Sequence, residues 1–337
     1  MKFREIGEFG FIDSIKDNFA ATGRGVIKGI GDDCAVVSAP PGKVLLFAAD
    51  MLVEDIHFVI GSTPFYQLGR KAVAVNLSDI AAMGGKPIVA LISIAVPPAT
   101  DVDAIQELYK GMKDICSCHS LTIGGGDTVA SPDKLVISVS ILGEAKEREV
   151  LYRSGAISGD KIYVTGPVGD SAAGLEILTK KITPPESTKD YFINAHINPT
   201  PLVEVGIRIA ASGLASAMID LSDGLLSDLR HICEQSGVGA SLSAEKIPFS
   251  PQLKLLATHA GFDPGEFALA GGEDYQLLFT GSAEHEQDME NLFQKHGFTP
   301  PYQIGEIGHE PGIRMLKADG SVVELQPRGF DHFIDSF

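Results

Sequence analysis

The stretch Ala217-Met218-Ile219-Asp220-Leu221-Ser222-Asp223-Gly224-Leu225-Leu226 decides the fold class. Its apolar start reads as a buried strand over residues 217–221, with Asp220 where that strand ends. From Ser222 or Asp223 onward the spacing becomes helical, with Leu225, Leu226, Leu229, Ile232 and Cys233 on one side. A strand that turns through carboxylates into a helix is a unit of α/β architecture. It also sets free backbone N–H groups where an anion can be held. Asp220 and Asp223 are placed to hold a metal bridging to a phosphate; the same residues equally suit an ordinary helix cap by Ser222.

Similar acidic loops recur along the chain. They are Gly31-Asp32-Asp33, Asp50, Asn76-Leu77-Ser78-Asp79, Gly125-Gly126-Asp127 and Gly271-Gly272-Glu273-Asp274. Most lie beside glycine or serine just after an apolar run, which places carboxylates at strand ends. So many hard oxygen ligands suit several Mg²⁺ ions, which keep waters and are held jointly by carboxylates and substrate phosphates. The expectation is a metal-dependent phosphate enzyme.

Elements around these loops alternate. Residues 44–49 read as a strand ending at Asp50, residues 65–83 as a helix stopped by Gly84-Gly85, and 88–96 as a strand. Asp101 can cap a helix whose inner face is Ile105, Leu108, Met112 and Ile115. Then come a strand at 121–123, a loop at 124–128 and a strand at 135–142. The charged segment 144–149 breaks the apolar pattern and divides the chain into domains 1–148 and 149–337. The second half restarts with a strand at 161–165 and a helix at 170–179. A Pro-rich polar loop is expected over 181–200 and a helix over 201–211. A strand at 275–280, a helix at 285–296 and a strand at 303–307 close the pattern.

The chain has 337 residues, above the size at which one core keeps growing, so two domains are the default. With 44% hydrophobic residues and 37 glycines it is a folded globular chain. A net charge of −17 argues against nucleic acid, which needs clustered Lys and Arg. The same charge would repel ATP, a conflict that divalent cations resolve. No apolar run approaches the roughly 18 to 20 residues of a membrane span, and Met1-Lys2-Phe3-Arg4-Glu5 lacks a signal-peptide stretch, so a cytoplasmic protein is expected. The four cysteines form no CxxC and the nine histidines no HExxH, so neither disulfide nor zinc is expected.

Several residues stay open between two readings. Asn76 and Asp79 share one face of their helix, and an inward polar pair there is costly without a partner. The glycines before Asp127 make either a tight turn or a close approach to phosphate. Arg153 suits a bidentate phosphate contact or a surface position, and His57 a substrate contact or the surface. Gly23-Arg24-Gly25 and Lys28 suit phosphate contacts or a flexible loop. There is no lysine-anchored phosphate loop and no protein-kinase signature.

In order, Gly29-Ile30-Gly31-Asp32-Asp33-Cys34, Ala74 to Gly84, Gly125-Gly126-Asp127-Thr128, Tyr163 to Leu175, Ile219 to Leu225 and Ala270 to Tyr275 resemble the thiamine-monophosphate kinase family. The resemblance spans essentially the whole chain, and its combination of motifs is highly specific. It implies the aminoimidazole ribonucleotide synthetase-like (PurM-like) superfamily, hence an N-terminal sheet domain, a C-terminal α/β domain and a homodimer joined through N-terminal strands. The implied reaction transfers phosphate from ATP directly to thiamine monophosphate, giving thiamine diphosphate. Matching positions imply Asp33, Asp50, Asp79, Asp127, Asp220 and Asp223 as Mg²⁺ ligands. They imply Gly126, Asp127, Arg153 and Ser222 at ATP, and His57, Glu273 and Phe330 at the thiamine moiety. One departure stands out: the family's hydroxylic residues before the second aspartate are Ala48-Ala49 here, so only main-chain oxygens remain there. A different ATP-dependent member of the superfamily, or a non-catalytic binder of nucleotide or thiamine phosphate, is the alternative.

Overall fold

Eleven residues of alternating burial, not six, make up the strand that carries Asp50. The structure, a computed structural model, describes residues 26–28, 34–39 and 41–326. Asp33, Phe330, the Gly23-Arg24-Gly25 stretch and the amphipathic start lie outside the described residues.

The first half runs β1 (Val26–Lys28), β2 (Ala35–Ser38), β3 (Lys43–Val53), α1 (Phe65–Ala82), β4 (Lys86–Val96), α2 (Val102–Cys118), β5 (Thr122–Ala130) and β6 (Val136–Lys146). These strands form one sheet in the order β1-β2-β3-β6-β4-β5. Only β4 and β5 run parallel; the other neighbours are antiparallel.

The second half runs β7 (Lys161–Val164), α3 (Asp170–Leu178), α4 (Glu186–Ile197), α5 (Val203–Ser212), β8 (Ala215–Asp220), α6 (Leu225–Ser236), β9 (Gly239–Ser243), α7 (Pro251–Ala260), α8 (Pro264–Ala270), β10 (Leu277–Gly281), α9 (Glu286–Lys295), β11 (Tyr302–Gly308), β12 (Gly312–Leu316) and β13 (Val322–Leu325). Its sheet has the order β13-β12-β9-β11-β7-β10-β8. The fold is mixed α/β, one sheet with its helices in each half.

Strand β3 shows how the sheet is sided. Val44, Leu46, Ala48 and Leu52 are buried under α1, whereas Phe47, Ala49 and Met51 face outward. Helix α1 is buried almost all round. It packs on β3 and β6 on one side, and on α2, α5 and β8 on others. That enclosure sets it apart from an amphipathic surface helix. Burying Leu68, Val73, Leu77 and Ile80 contributes about 1.5 to 3 kcal/mol each. The halves meet here: at Gly206, α5 comes so close that a Cβ would stand 2.1 Å from the Ala81 carbonyl. Met218, Leu277 and Phe279 of the second sheet join the core of the first half.

Four expectations are corrected. Asp50 lies inside β3, because β6 pairs with β3 from Lys43 to Val53. Residues 124–128 belong to edge strand β5 and are not a loop. The chain bulges there against β4, and a Cβ at Gly126 would stand 1.7 Å from the Ile92 carbonyl oxygen. The expected loop over 181–200 contains α4, which starts after Pro185 and buries Phe192 against α3. Helix α6 begins at Leu225, so Ser222 and Asp223 stand in the turn before it and Ser222 is not its cap. Asp101 does precede α2, without a capping hydrogen bond from its side chain. Among the described residues, no helix is long and apolar enough to cross a membrane.

Candidate active site

Buried lysine and asparagine in an otherwise apolar helix need partners, and α1 supplies both kinds. Asn76 is fully buried on it. Its Oδ1 accepts the Asp50 backbone N–H at 2.9 Å, and its Nδ2 donates to the Ala72 carbonyl at 3.1 Å. One side chain thereby ties β3, which carries Asp50, to the helix that carries Asp79. Lys71, two turns nearer the helix start, reaches into the second half and meets Glu273.

Glu273 sits in the segment joining α8 to β10. Glu273 and Tyr275 both adopt positive φ, 65° and 50°. That backbone, unusual for non-glycine residues, lets two alternate N–H groups bond the same neighbour. Glu273 N–H donates to the Ser222 carbonyl and Tyr275 N–H to that of Leu221, each at 2.8 Å. The two acidic loops are therefore stacked, and a Cβ at Gly272 would come within 2.4 Å of the Ser222 oxygen.

Three consecutive side chains fan out from this segment. Glu273 turns to Lys71 and His196, with His196 Nδ1 3.2 Å from Oε2. Asp274 accepts from the Gly169 and Ser171 N–H groups at the start of α3, at 2.7 and 3.3 Å. Burial pushes its carboxyl up to about 7, and these two donors only partly oppose that. The Tyr275 hydroxyl lies 3.5 Å from Glu273 Oε1. Its pKa stands well above the ordinary tyrosine value, first through burial, then through the charges of Glu273, Asp50, Asp220 and Asp79. The charges of carboxylates on four separate segments of both halves thus bear on one hydroxyl.

A second acidic focus adjoins the first. Asp228, buried in the first turn of α6, accepts the Asp223 and Gly224 N–H groups at 3.2 and 3.1 Å. It holds the turn that Ser222 does not cap. Its carboxyl is raised by burial and then by Asp223 and Asp220; the Gly224 N–H and Arg153 oppose that rise. Asp220, at the end of β8, is 2% exposed. Arg153 is within electrostatic reach of this acidic turn, and Ser222 lies within it.

The charges of Asp50, Asp79, Asp220 and Glu273 all bear on Tyr275, and those of Asp223 and Arg153 on Asp228. His57 is within electrostatic reach of Glu273, and its Nδ1 accepts the Val53 N–H at 3.0 Å. That bond leaves Nε2 as the nitrogen that carries the proton of the neutral ring. Gly126 and Asp127 are not gathered with them. They lie exposed on β5, where β6 and β4 intervene between β5 and β3. Three strand spacings make about 14 Å. Beside them, between α2 and β5, an open cavity of about 330 Å³ is lined by Tyr109, Lys113, Cys116, Ser117, Leu121 and Ile123.

Oxygen-only donors with so many like charges in one neighbourhood fit magnesium. Among the described residues, no three His, Cys, Asp or Glu side chains stand close enough to enclose an ion by themselves. Phosphates and water would complete the shell. Sequence reasoning missed Lys71, His196, Asp228 and Tyr275. Of these only Lys71 carried a signal, a charge beside Arg70 at the head of the apolar run Ala72 to Val75.

Comparison with known proteins gives the lineage of this arrangement. The AIR synthase related protein N-terminal domain matches residues 31–145 and its C-terminal domain residues 158–317. Thiamine-monophosphate kinase of Bacillus subtilis is 38% identical over 310 residues, 90% of this chain and 93% of the relative. That of Aquifex aeolicus is 37% identical over 333 residues, covering 99% of this chain and all of the relative. The solved structure of AaThiL complexed with AMPPCP and TMP superposes with a TM-score of 0.86 at 35% identity, over 98% of this chain and 99% of that one.

Proposed function

This chain belongs to the thiamine-monophosphate kinase family, and we propose that it carries out that reaction, phosphorylating thiamine monophosphate to thiamine diphosphate at the expense of ATP. The observation that carries the reading is the joining of the acidic segments of both halves: Asn76 ties Asp50 to the helix of Asp79, Lys71 of that helix pairs with Glu273, and the Glu273 segment is stacked on the Asp220 to Asp223 turn. An acidic centre of this kind serves two phosphate-bearing substrates only with cations between, and a phosphoryl group can then pass directly from one to the other.

In the proposed roles, Asp33, Asp50, Asp79, Asp127, Asp220 and Asp223 hold several Mg²⁺ ions. Bound magnesium supplies the charge neutralisation that lets the phosphates of donor and acceptor approach in line. The residues around it bind and orient. Arg153 and Ser222, with Gly126 and Asp127, take ATP; the aromatic wall of Tyr109 beside β5 supports a nucleotide on that side. His57, Glu273 and Phe330 take the thiamine moiety, Phe330 by stacking on a ring. The attacking oxygen of thiamine monophosphate is already anionic, so no strong base is required.

The outward face of the first sheet supports a homodimer. Phe47, Met51 and Leu91 are exposed there, Met51 by 54%, on strands β3 and β4 of one face with β6 between them. A second copy on that face would also bear on the separation of Asp127 from Asp50, two proposed metal ligands that one chain holds three strands apart. The setting we propose is the cytoplasm.

The reaction is tested by incubating the protein with Mg²⁺, ATP and thiamine monophosphate, then separating the thiamine esters as their fluorescent thiochromes. Thiamine diphosphate rising in step with ADP is the expected result. ADP formation that ignores thiamine monophosphate would reassign the chain to another reaction of the superfamily.

A further inference from the structure

We propose that Lys71 is a positioning residue for this reaction: its ion pair fixes the Glu273 carboxylate as a negative charge facing the cationic thiazolium ring of the acceptor. The proposal rests on the reading that the acceptor is thiamine monophosphate and that Glu273 meets it.

Lys71 is 1% exposed on α1, and its Nζ stands 2.9 Å from Glu273 Oε1 and 3.0 Å from Oε2. Both oxygens are engaged from the α1 side, while the Glu273 side chain keeps 24% of its surface. One face of the carboxylate is thus fixed and another remains open. His196 steadies Oε2 from α4 at 3.2 Å, and Ser171 Oγ lies 3.1 Å from the same His196 nitrogen. The backbone beneath is pinned to Ser222. Glu273 therefore has little freedom in position or direction.

Stability alone is a weak reason for this pair, because an apolar pair of similar volume is commonly as good or better in a buried place. A directed negative charge is what the pair supplies and an apolar pair would not. A quaternary ring nitrogen offers no hydrogen to donate, so a fixed charge or a π face is what recognises it. Lys71 does so without touching the ring, because its Nζ lies behind the carboxylate in the protein interior.

The test uses the full-length protein as Lys71→Met, Glu273→Gln and the double variant, each with its melting temperature recorded. Steady-state rates give separate KM values for thiamine monophosphate and ATP. Competitive inhibition by the uncharged thiazolone analogue of thiamine monophosphate gives the preference for a charged ring. Lys71→Met is expected to raise KM for thiamine monophosphate by about tenfold or more, leave KM for ATP within about twofold, and reduce the preference for the charged ring. The double variant is expected to match Glu273→Gln, since Lys71 acts only through that carboxylate. That comparison still decides if Lys71→Met alone does not fold. An unchanged acceptor KM and ring preference in Lys71→Met, or a double variant clearly weaker than Glu273→Gln, overturns the proposal. Glu273→Gln with a normal acceptor KM overturns it through its premise that Glu273 meets the ring. A wild-type protein that does not phosphorylate thiamine monophosphate overturns it through the reaction itself.

Discussion

The Asp50 backbone N–H on β3 and the Asn76 side chain on α1 form a 2.9 Å hydrogen bond that locks two carriers of the acidic centre together. Asn76 closes the arrangement by donating to Ala72 one turn back. The spacing of Asp50 and Asp79 thus depends on a residue that presents no charge to the site.

Asn76→Ala leaves the Asp50 N–H without that acceptor in a part-buried setting. The expected cost is about 1 to 3 kcal/mol of stability, read by thermal or denaturant unfolding. The same variant should need more Mg²⁺ for half-maximal rate, since Asp50 and Asp79 lose their common brace. Unchanged stability and Mg²⁺ dependence would mean the bond organises nothing.

Asp79→Asn and Asp220→Asn should each lower turnover by about 100-fold or more, with near-native circular dichroism. In chelator-treated protein the same changes should raise the melting temperature, because each removes one of several crowded like charges. Added Mg²⁺ should stabilise the wild type more than either variant. A variant with near-normal turnover would remove that residue from the metal-binding set.

The pH dependence of stability carries a signature from His196. Burial, and then the charge of Lys71, lowers its pKa to about 4 against the opposing pull of Glu273, whereas the unfolded value is near 6.5. A depressed pKa contributes stability above the unfolded value that is lost as pH falls through the folded one. Between pH 6.5 and 4 the wild type should therefore lose stability, on the order of a few kcal/mol, through this residue. Asp274 works in the opposite sense: its folded pKa of about 7 lies above the unfolded one, so its contribution is lost as pH rises from about 4 towards 7. Comparing wild type with His196→Asn across that range isolates the histidine. Parallel curves would contradict the assignment.

Local order explains what was legible in the sequence. The Asp220 to Gly224 loop stands after its strand and before its helix, because apolar periodicity changes there over a few residues. Asn76 and Asp79 lie late in α1 for the same reason. Helix α4 was hidden because its sequence is largely polar; packing of Phe192 against α3 holds it, and that contact is tertiary. The glycines at 124–126 suggested a tight turn or a close approach to phosphate, whereas close approach to β4 accounts for Gly126. Lys71 and Glu273 stand 202 residues apart, so their pairing existed only once the halves had met. The acidic centre was readable as separate loops, but the side chains that brace it were not.

The most direct measurement is ³¹P NMR of the purified protein with Mg²⁺, ATP and thiamine monophosphate. Growth of the thiamine diphosphate β-phosphorus signal together with ADP, and its absence when Mg²⁺ is chelated, is the result expected here. ADP accumulating with free phosphate and no diphosphate product, or ATP left intact by folded protein, would contradict the assignment.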